Sequence, residues 1–153
     1  MRLLYFNDFT LGVTRGDGVV DVSAAVGDIP HTGPHDLISG LIARFEDYRA
    51  RLQDAAATGT PIPLAGLRIR APLPKPGNIV CMAVNYMEDG TRKEPAPLNA
   101  FHKAPSAVIG DGDTMVLPDV PATIFEGEAE LAVVIGTRAS HVRAADAMAH
   151  VFG

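Results

Sequence analysis

The chain of 153 residues has no tryptophan and a single cysteine, Cys81. One cysteine excludes an intramolecular disulfide framework and is typical of proteins kept in a reducing compartment. No apolar run approaches the ~20 residues that a membrane-spanning helix needs. The N-terminal stretch MRLLYFNDF also lacks the long apolar segment of a secretory signal peptide. These absences predict a cytoplasmic protein with no membrane partner.

Positive charge is scarce as well. Thirteen Lys and Arg residues stand against 18 Asp and Glu residues, which gives a formal net charge of −5, and the basic residues form no cluster. A nucleic acid is therefore not expected as a partner. Hydrophobic residues make up 47% of the chain and charged residues 20%, the composition of a globular protein that can bury a core.

Short apolar runs separated by turn residues predict a small β-meander at the start of the chain, with strands at 3–6, 10–14 and 19–22. A helix is expected next, with Asp36 as its N-cap and Gly59 just past its end. It carries apolar residues at helical spacing: Leu37, Leu41, Phe45, Tyr48 and Leu52. A proline-rich linker with one edge strand at 67–69 follows, and a domain of residues 1–70 is predicted.

Residues 71–153 are predicted to form a second domain made mostly of strands. The expected strands lie at 78–84, 101–103, 107–109, 114–117 and 123–136, with a short helix at 144–152. Cys81 falls inside the first of these strands and is expected to be an inert core thiol. The chain as a whole is therefore assigned to the α+β class.

The stretch EGEAELAVVIG places Glu126, Glu128 and Glu130 at every second position, directly before an apolar run. On a strand these three side chains share one face, and residues two apart are separated by about 6.5–7 Å. Two such carboxylates can share a divalent cation, which prefers oxygen ligands. A solvated acidic face that discourages edge pairing explains the pattern equally well. The spacing alone leaves both interpretations open.

Three segments in this order, PLPKPGNIVCMAVNY, FHKAPSAVIG and EGEAELAVVIG, resemble the fumarylacetoacetate hydrolase family. The resemblance runs from about Leu73 to the end of the chain, and the preceding part is similar to the family's small N-terminal domain. It implies that residues 71–153 form the first part of a mixed β-roll that is incomplete at its C-terminal side. Family members continue well beyond the position of Gly153.

The resemblance implies that Glu128 and Glu130 bind Mg²⁺, with Mn²⁺ or Ca²⁺ as alternatives, and that Glu126 lies outside the pair. The implied function is metal-dependent hydrolysis of C–C bonds in 1,3-dicarbonyl or 2-oxo-acid substrates. Isomerase, decarboxylase and hydratase activities occur in relatives and are the alternatives. The implied partners are a small-molecule substrate and a second copy of the chain in a homodimer.

Many family members carry a His and a Glu after the Asn-Tyr pair, where this sequence has Asp89 and Arg92. We therefore expect Asp89, or its neighbour Glu88, to serve as the general base. By the same resemblance Lys103 is a catalytic candidate that meets a substrate carboxylate, unless it is an ordinary surface lysine.

Three further residues are substrate-binding candidates: Tyr86 and Ser106, which lie in the matched motifs, and Arg92 in the polar loop after Tyr86. Arg92 can also be a solvated loop residue. His31 and His35 lie in a Gly/Pro-rich loop and are expected at the surface, and Asp111-Gly-Asp113 is expected to form a turn.

The family's third acidic metal ligand lies beyond Gly153. The present chain is therefore expected to be a truncated product that is inactive alone. The alternative from a different class is a non-catalytic fragment that folds only with a partner chain.

Overall fold

A five-stranded antiparallel sheet forms the first part of the computed structural model, which describes residues 1–84, 87 and 92–153. The strand order is β4-β3-β2-β1-β5, so the first three strands lie side by side in chain order. Short β4 and β5 close the two edges. The bounds are β1 Leu3–Phe6, β2 Thr10–Arg15, β3 Gly18–Asp21, β4 Ile62–Pro63 and β5 Ile69–Arg70.

Tight turns set the register of this sheet. Asn7 and Gly16 have φ of 48° and 58°, the left-handed region that asparagine and glycine tolerate best. Two hydrogen bonds from the region of β5 stabilise the first turn. The Arg68 N–H donates to Asn7 Oδ1 at 3.2 Å, and Arg70 Nε donates to the Asn7 carbonyl at 2.5 Å. The sequence placed the first three strands within one residue of these bounds.

Two helices, α1 Pro34–Ala43 and α2 Phe45–Thr58, replace the single helix that the sequence predicted. The break lies at Arg44, whose φ of −130° and ψ of 31° leave the helical region. Asp36 is not the N-cap: Gly33 holds that position, and Asp36 lies in the first turn. Its Oδ2 accepts hydrogen bonds from the Thr32 N–H at 3.2 Å and the Thr32 hydroxyl at 2.5 Å. Gly59 follows the second helix as expected.

The hydrophobic core lies between this sheet and the two helices. Tyr5 is fully buried, donates its hydroxyl to the Pro34 carbonyl at 2.8 Å, and has its pKa raised to about 12 by burial. The apolar positions predicted for the helix line this core, except that Phe45 is only partly buried. The buried core residues are Tyr5, Leu11, Val13, Val20, Val22, Val26, Ile29, Leu37, Ile38, Leu41, Tyr48 and Leu52.

A two-stranded antiparallel ribbon follows, formed by β6 Ile79–Met82 and β7 Ala100–Lys103. Cys81 pairs with Phe101 in the register and is buried, as the sequence predicted. Two 3₁₀ helices, Pro105–Ala107 and Ala144–His150, lie further along the chain. The second of these stands where the sequence predicted a short helix.

Three predicted strands are wrong. Residues 107–109, 114–117 and 123–134 have no strand partner within the described part of the chain. Only the end of the last one pairs, because the Val134 and Gly136 N–H groups donate to the Gly153 and His150 carbonyls at 2.7 and 2.9 Å. A strand is stable only when a neighbour takes up its backbone hydrogen bonds, which explains why an apolar pattern alone does not form one here.

Contacts connect the later segments to the first sheet and its helices. The Phe152 and Phe45 rings meet edge to face with centroids 4.9 Å apart, and Arg68 Nη2 bonds Asp113 Oδ1 at 2.7 Å. The expected turn forms at Gly110–Asp113, where the Asp113 N–H donates to the Gly110 carbonyl at 3.1 Å. The division into domains at residue 70 stays a prediction. Among the described residues, no helix has the length and apolar character needed to cross a membrane.

Candidate metal centre

Lys103 and Glu130 are the two predicted site residues that the structure brings together. Lys103 ends β7, and its Nζ lies 3.9 Å from Glu130 Oε2. Both side chains are about half exposed, at 49% each, so water screens this ion pair. The Lys103 ammonium also lies 5.9 Å from the centre of the Phe101 ring. A carboxylate and an ammonium therefore share one solvent-accessible place beside β7.

Residues 126–133, the acidic stretch, are all exposed. Leu131 and Val133 of its apolar run are 93% and 55% exposed. The physical reason is the missing pairing described above, since a chain without a neighbour presents both faces to water. Glu126 and Glu128 make no hydrogen bond or ion pair within the described residues.

The structure describes two of the remaining candidates, Ser106 and Arg92. Ser106 is exposed in the 3₁₀ helix Pro105–Ala107. Arg92 is half-buried and lines a cavity of about 450 Å³ together with Val84 and residues 96–99, and its Nε is buried. Tyr86, Glu88 and Asp89 lie outside the described residues. Their roles stay predictions.

The donor chemistry at Glu128 and Glu130 fits a hard divalent ion. Both groups are carboxylates two residues apart, and carboxylate oxygens are the ligands that Mg²⁺, Mn²⁺ and Ca²⁺ prefer. The number of donors is incomplete. In the ranges that the structure describes, no three His, Cys, Asp or Glu side chains gather closely enough to hold a metal.

Sequence reasoning selected Lys103 and Glu130 separately and did not foresee that they pair. The two residues are 27 positions apart, and no local pattern links them. The histidines behave as predicted: His31 is exposed, its Nδ1 lies 2.7 Å from the Ile29 carbonyl oxygen, and His35 Nε2 lies 3.3 Å from Asp36 Oδ1. Neither joins the carboxylates of the acidic stretch.

A family model described as fumarylacetoacetate (FAA) hydrolase C-terminal matches residues 78–153, the part that contains β6, β7 and the acidic stretch. The chain belongs to the fumarylacetoacetate hydrolase family.

Two curated relatives illustrate the match. The chain is 35% identical over 144 residues to mitochondrial oxaloacetate tautomerase FAHD2A of Bos taurus, which covers 91% of this chain and 44% of the relative. It is 36% identical over 96 residues to oxaloacetate tautomerase YisK of Bacillus subtilis, covering 59% of this chain and 32% of the relative. The chain thus spans less than half the length of these relatives.

Solved structures agree on the fold. Maleylpyruvate hydrolase from Sphingobium sp. SYK-6, in complex with manganese(II) and pyruvate, superposes with a TM-score of 0.83 at 35% identity. The match covers all of this chain and 56% of that one. An HpcE-like protein from Mycobacterium smegmatis superposes with a TM-score of 0.67 at 26% identity.

Proposed function

We propose that the protein supplies part of a divalent-metal-dependent enzyme that hydrolyses a C–C bond in 2-oxo acids or 1,3-dicarbonyl compounds. The observation that carries the proposal is the approach of Lys103 to Glu130, two residues from Glu128. This approach places the Lys103 ammonium, which can bind a carboxylate anion, next to the Glu130 carboxylate, which can bind a metal cation. A 2-oxo acid presents a carboxylate and an adjacent carbonyl oxygen, so it can use both.

In this proposal Glu128 and Glu130 hold the ion, with Mg²⁺ or Mn²⁺ as the candidates. A bound divalent ion would stabilise the negative charge that develops on the substrate's carbonyl oxygen. Lys103 binds the substrate carboxylate through its ammonium, and Ser106 follows in the same segment as a hydrogen-bond donor. Arg92 and Tyr86 complete the substrate contacts.

Hydrolysis also requires a base that takes a proton from water. Asp89 is the candidate, with Glu88 as its substitute, because a carboxylate within hydrogen-bond reach can act as a general base. The homodimeric assembly and the cytoplasmic location predicted from the sequence remain part of the same hypothesis.

A tautomerase is the second candidate function. The Bos taurus relative that matches 91% of the chain is named an oxaloacetate tautomerase, whereas the solved structure with the TM-score of 0.83 is a maleylpyruvate hydrolase. Tautomerisation moves one proton between carbon and oxygen and needs no attacking water. The same carboxylate pair and lysine serve both reactions, so the general base decides between them.

A non-catalytic fragment is the third candidate. The exposed apolar side chains of the second half, among them Leu98 at 94% and Leu131 at 93%, favour a chain that needs another polypeptide to cover them.

Metal binding tests the proposed site directly. We expect calorimetric titration of the protein with Mn²⁺ to show one binding site. Glu128→Gln or Glu130→Gln should weaken the Mn²⁺ affinity of this site at least about ten-fold, since each removes a charged ligand. Glu126→Gln is the matched control and should change the affinity by less than about two-fold. Equal affinity in all four proteins contradicts the assignment.

Turnover distinguishes the candidate reactions. Maleylpyruvate hydrolysis and oxaloacetate tautomerisation can be followed by absorbance in the same preparation, with and without Mn²⁺. Asp89→Asn should abolish hydrolysis and leave tautomerisation, if present, because only hydrolysis needs the activated water. Tautomerisation without hydrolysis in the wild type identifies a tautomerase. Mn²⁺ binding with neither activity identifies the non-catalytic fragment.

A further inference from the structure

Lys103 and a divalent ion would be attracted by the same carboxylate. The Lys103 ammonium lies 3.9 Å from Glu130 Oε2, and Glu130 is one of the two proposed metal ligands. A divalent ion bound to Glu130 Oε2 at about 2.0–2.6 Å would stand no more than about 6.5 Å from the ammonium, because both distances start at that oxygen. Two positive groups at this separation repel, and the exposed position screens the repulsion only in part.

We infer that the Lys103 ammonium and the divalent ion compete for Glu130, so that metal binding releases Lys103 for the substrate carboxylate. The inference rests on the proposed function, because it takes Glu128 and Glu130 as the metal ligands. The exchange has a fixed order: Lys103 pairs with Glu130 in the metal-free protein, and the ion then replaces the lysine at that carboxylate. Lys103 then becomes available to an anion only when the ion is in place.

The surroundings of Lys103 allow this exchange. Its side chain is half exposed, so the ammonium can move into water without crossing a packed core. The Phe101 ring, whose centre lies 5.9 Å from the ammonium, is a second favourable neighbour through cation–π attraction. The released lysine therefore stays beside the site.

Mn²⁺ affinity of the full chain, measured by calorimetry at about 0.1 M salt, tests the competition. We expect Lys103→Met to bind Mn²⁺ about ten-fold more tightly than the wild type, because the competing charge is removed. Lys103→Arg keeps the charge and should stay within about two-fold. Lys75→Met removes an exposed lysine of the linker and controls for net charge, with a change of less than about two-fold expected. Unchanged or weaker binding in Lys103→Met overturns the inference.

Amine labelling provides a second, structural readout. Acetylation of Lys103, measured by mass spectrometry, should rise several-fold when Mn²⁺ is added, and Glu130→Gln should raise it without metal. If Glu130→Gln raises labelling but saturating Mn²⁺ does not, the pair persists beside the metal and the inference is wrong. The proposed function fails separately, when Glu128→Gln and Glu130→Gln leave Mn²⁺ affinity unchanged. A wild type that does not bind Mn²⁺ overturns both.

Discussion

The Arg15 side chain joins the first sheet to the end of α2. Its Nη1 donates to the Ala56 and Ala57 carbonyls at 2.7 Å each, and its Nη2 donates to the Gly59 carbonyl at 2.6 Å. The last carbonyls of a helix have no partner within the helix and attract a cation. One guanidinium therefore satisfies three acceptors and holds α2 on the sheet.

Replacing Arg15 should lower the stability of the fold. We expect Arg15→Met to reduce the free energy of unfolding by about 1–3 kcal/mol, because it removes three charge-assisted hydrogen bonds at a helix end. Urea denaturation followed by circular dichroism measures the change. Arg143→Met, which removes an exposed ion pair with Asp146, is the control and should cost less than about 1 kcal/mol. Equal losses in both variants would contradict the role of Arg15.

The site residues show what a sequence can reveal at this scale. The spacing drew attention to Glu126, Glu128 and Glu130, and the resemblance to the family selected Glu128, Glu130 and Lys103 as candidates. The ion pair between Lys103 and Glu130 could not be predicted, because it depends on how β7 and the acidic stretch approach each other. Arg15 left no signal either, since its three acceptors are backbone carbonyls more than 40 residues away.

At the scale of elements, the turn from Gly110 to Asp113 docks against β5. A Cβ atom at Gly110 would stand 3.0 Å from the Ile69 carbonyl oxygen and 3.1 Å from the Ala71 nitrogen, so the close approach favours glycine. Asp113 Oδ2 accepts the Gly110 N–H at 2.9 Å, while its Oδ1 accepts from Arg68. This turn connects the segment that follows β7 to the edge of the first sheet.

Acid should weaken this docking. The hydrogen bond from Arg68, and then that from the Gly110 N–H, lower the pKa of Asp113 below its usual range. A lowered pKa means that the carboxylate contributes stability above the unfolded-state pKa of about 4 and loses it as the pH falls through the folded-state pKa. Asp113→Asn should therefore be less stable than the wild type near pH 6. The difference should begin to shrink as the pH falls to about 4 and vanish only below the lowered folded-state pKa.

Thermal unfolding measured from pH 3 to 7 follows that difference. Asp119→Asn, an exposed carboxylate in an irregular stretch, is the matched control and should track the wild type at every pH. A difference between wild type and Asp113→Asn that stays constant with pH would show that the carboxylate's charge does not hold the turn.

Strands that pair with the next strand along the chain were predictable from the sequence, and elements that do not pair in this way were not. The strands β1, β2 and β3 pair through short turns, so alternation and turn residues sufficed to predict them. The division between α1 and α2 was missed, because Arg44 leaves the helical region without a glycine or proline to signal it. The strand expected at 123–136 was wrong for a different reason: its apolar pattern is typical of a strand, but most of its backbone finds no partner in the described chain.

At the scale of the whole molecule, burial is divided sharply along the chain. The residues of the main core all lie between Tyr5 and Leu52. In the part of the chain that the structure describes, nineteen large hydrophobic residues are exposed, and seventeen of them lie at or beyond Val80, with only Met1 and Ile62 before it. Residues 1–73 therefore account for the cooperative core, and the later segments hold few buried apolar contacts of their own.

Hydrogen exchange should reproduce this division and report on the metal centre. We expect amides of β1–β3, α1 and α2 to be protected, and those of residues 114–133 to exchange rapidly, since they lack strand partners.

Mn²⁺ bound by Glu128 and Glu130 would fix two side chains of the acidic stretch and slow exchange in peptides covering 124–134. The double variant Glu128→Gln/Glu130→Gln should show no such change. Slowing in both proteins would place the ion elsewhere, and protection of 114–133 in the metal-free chain would show that the segment pairs in solution.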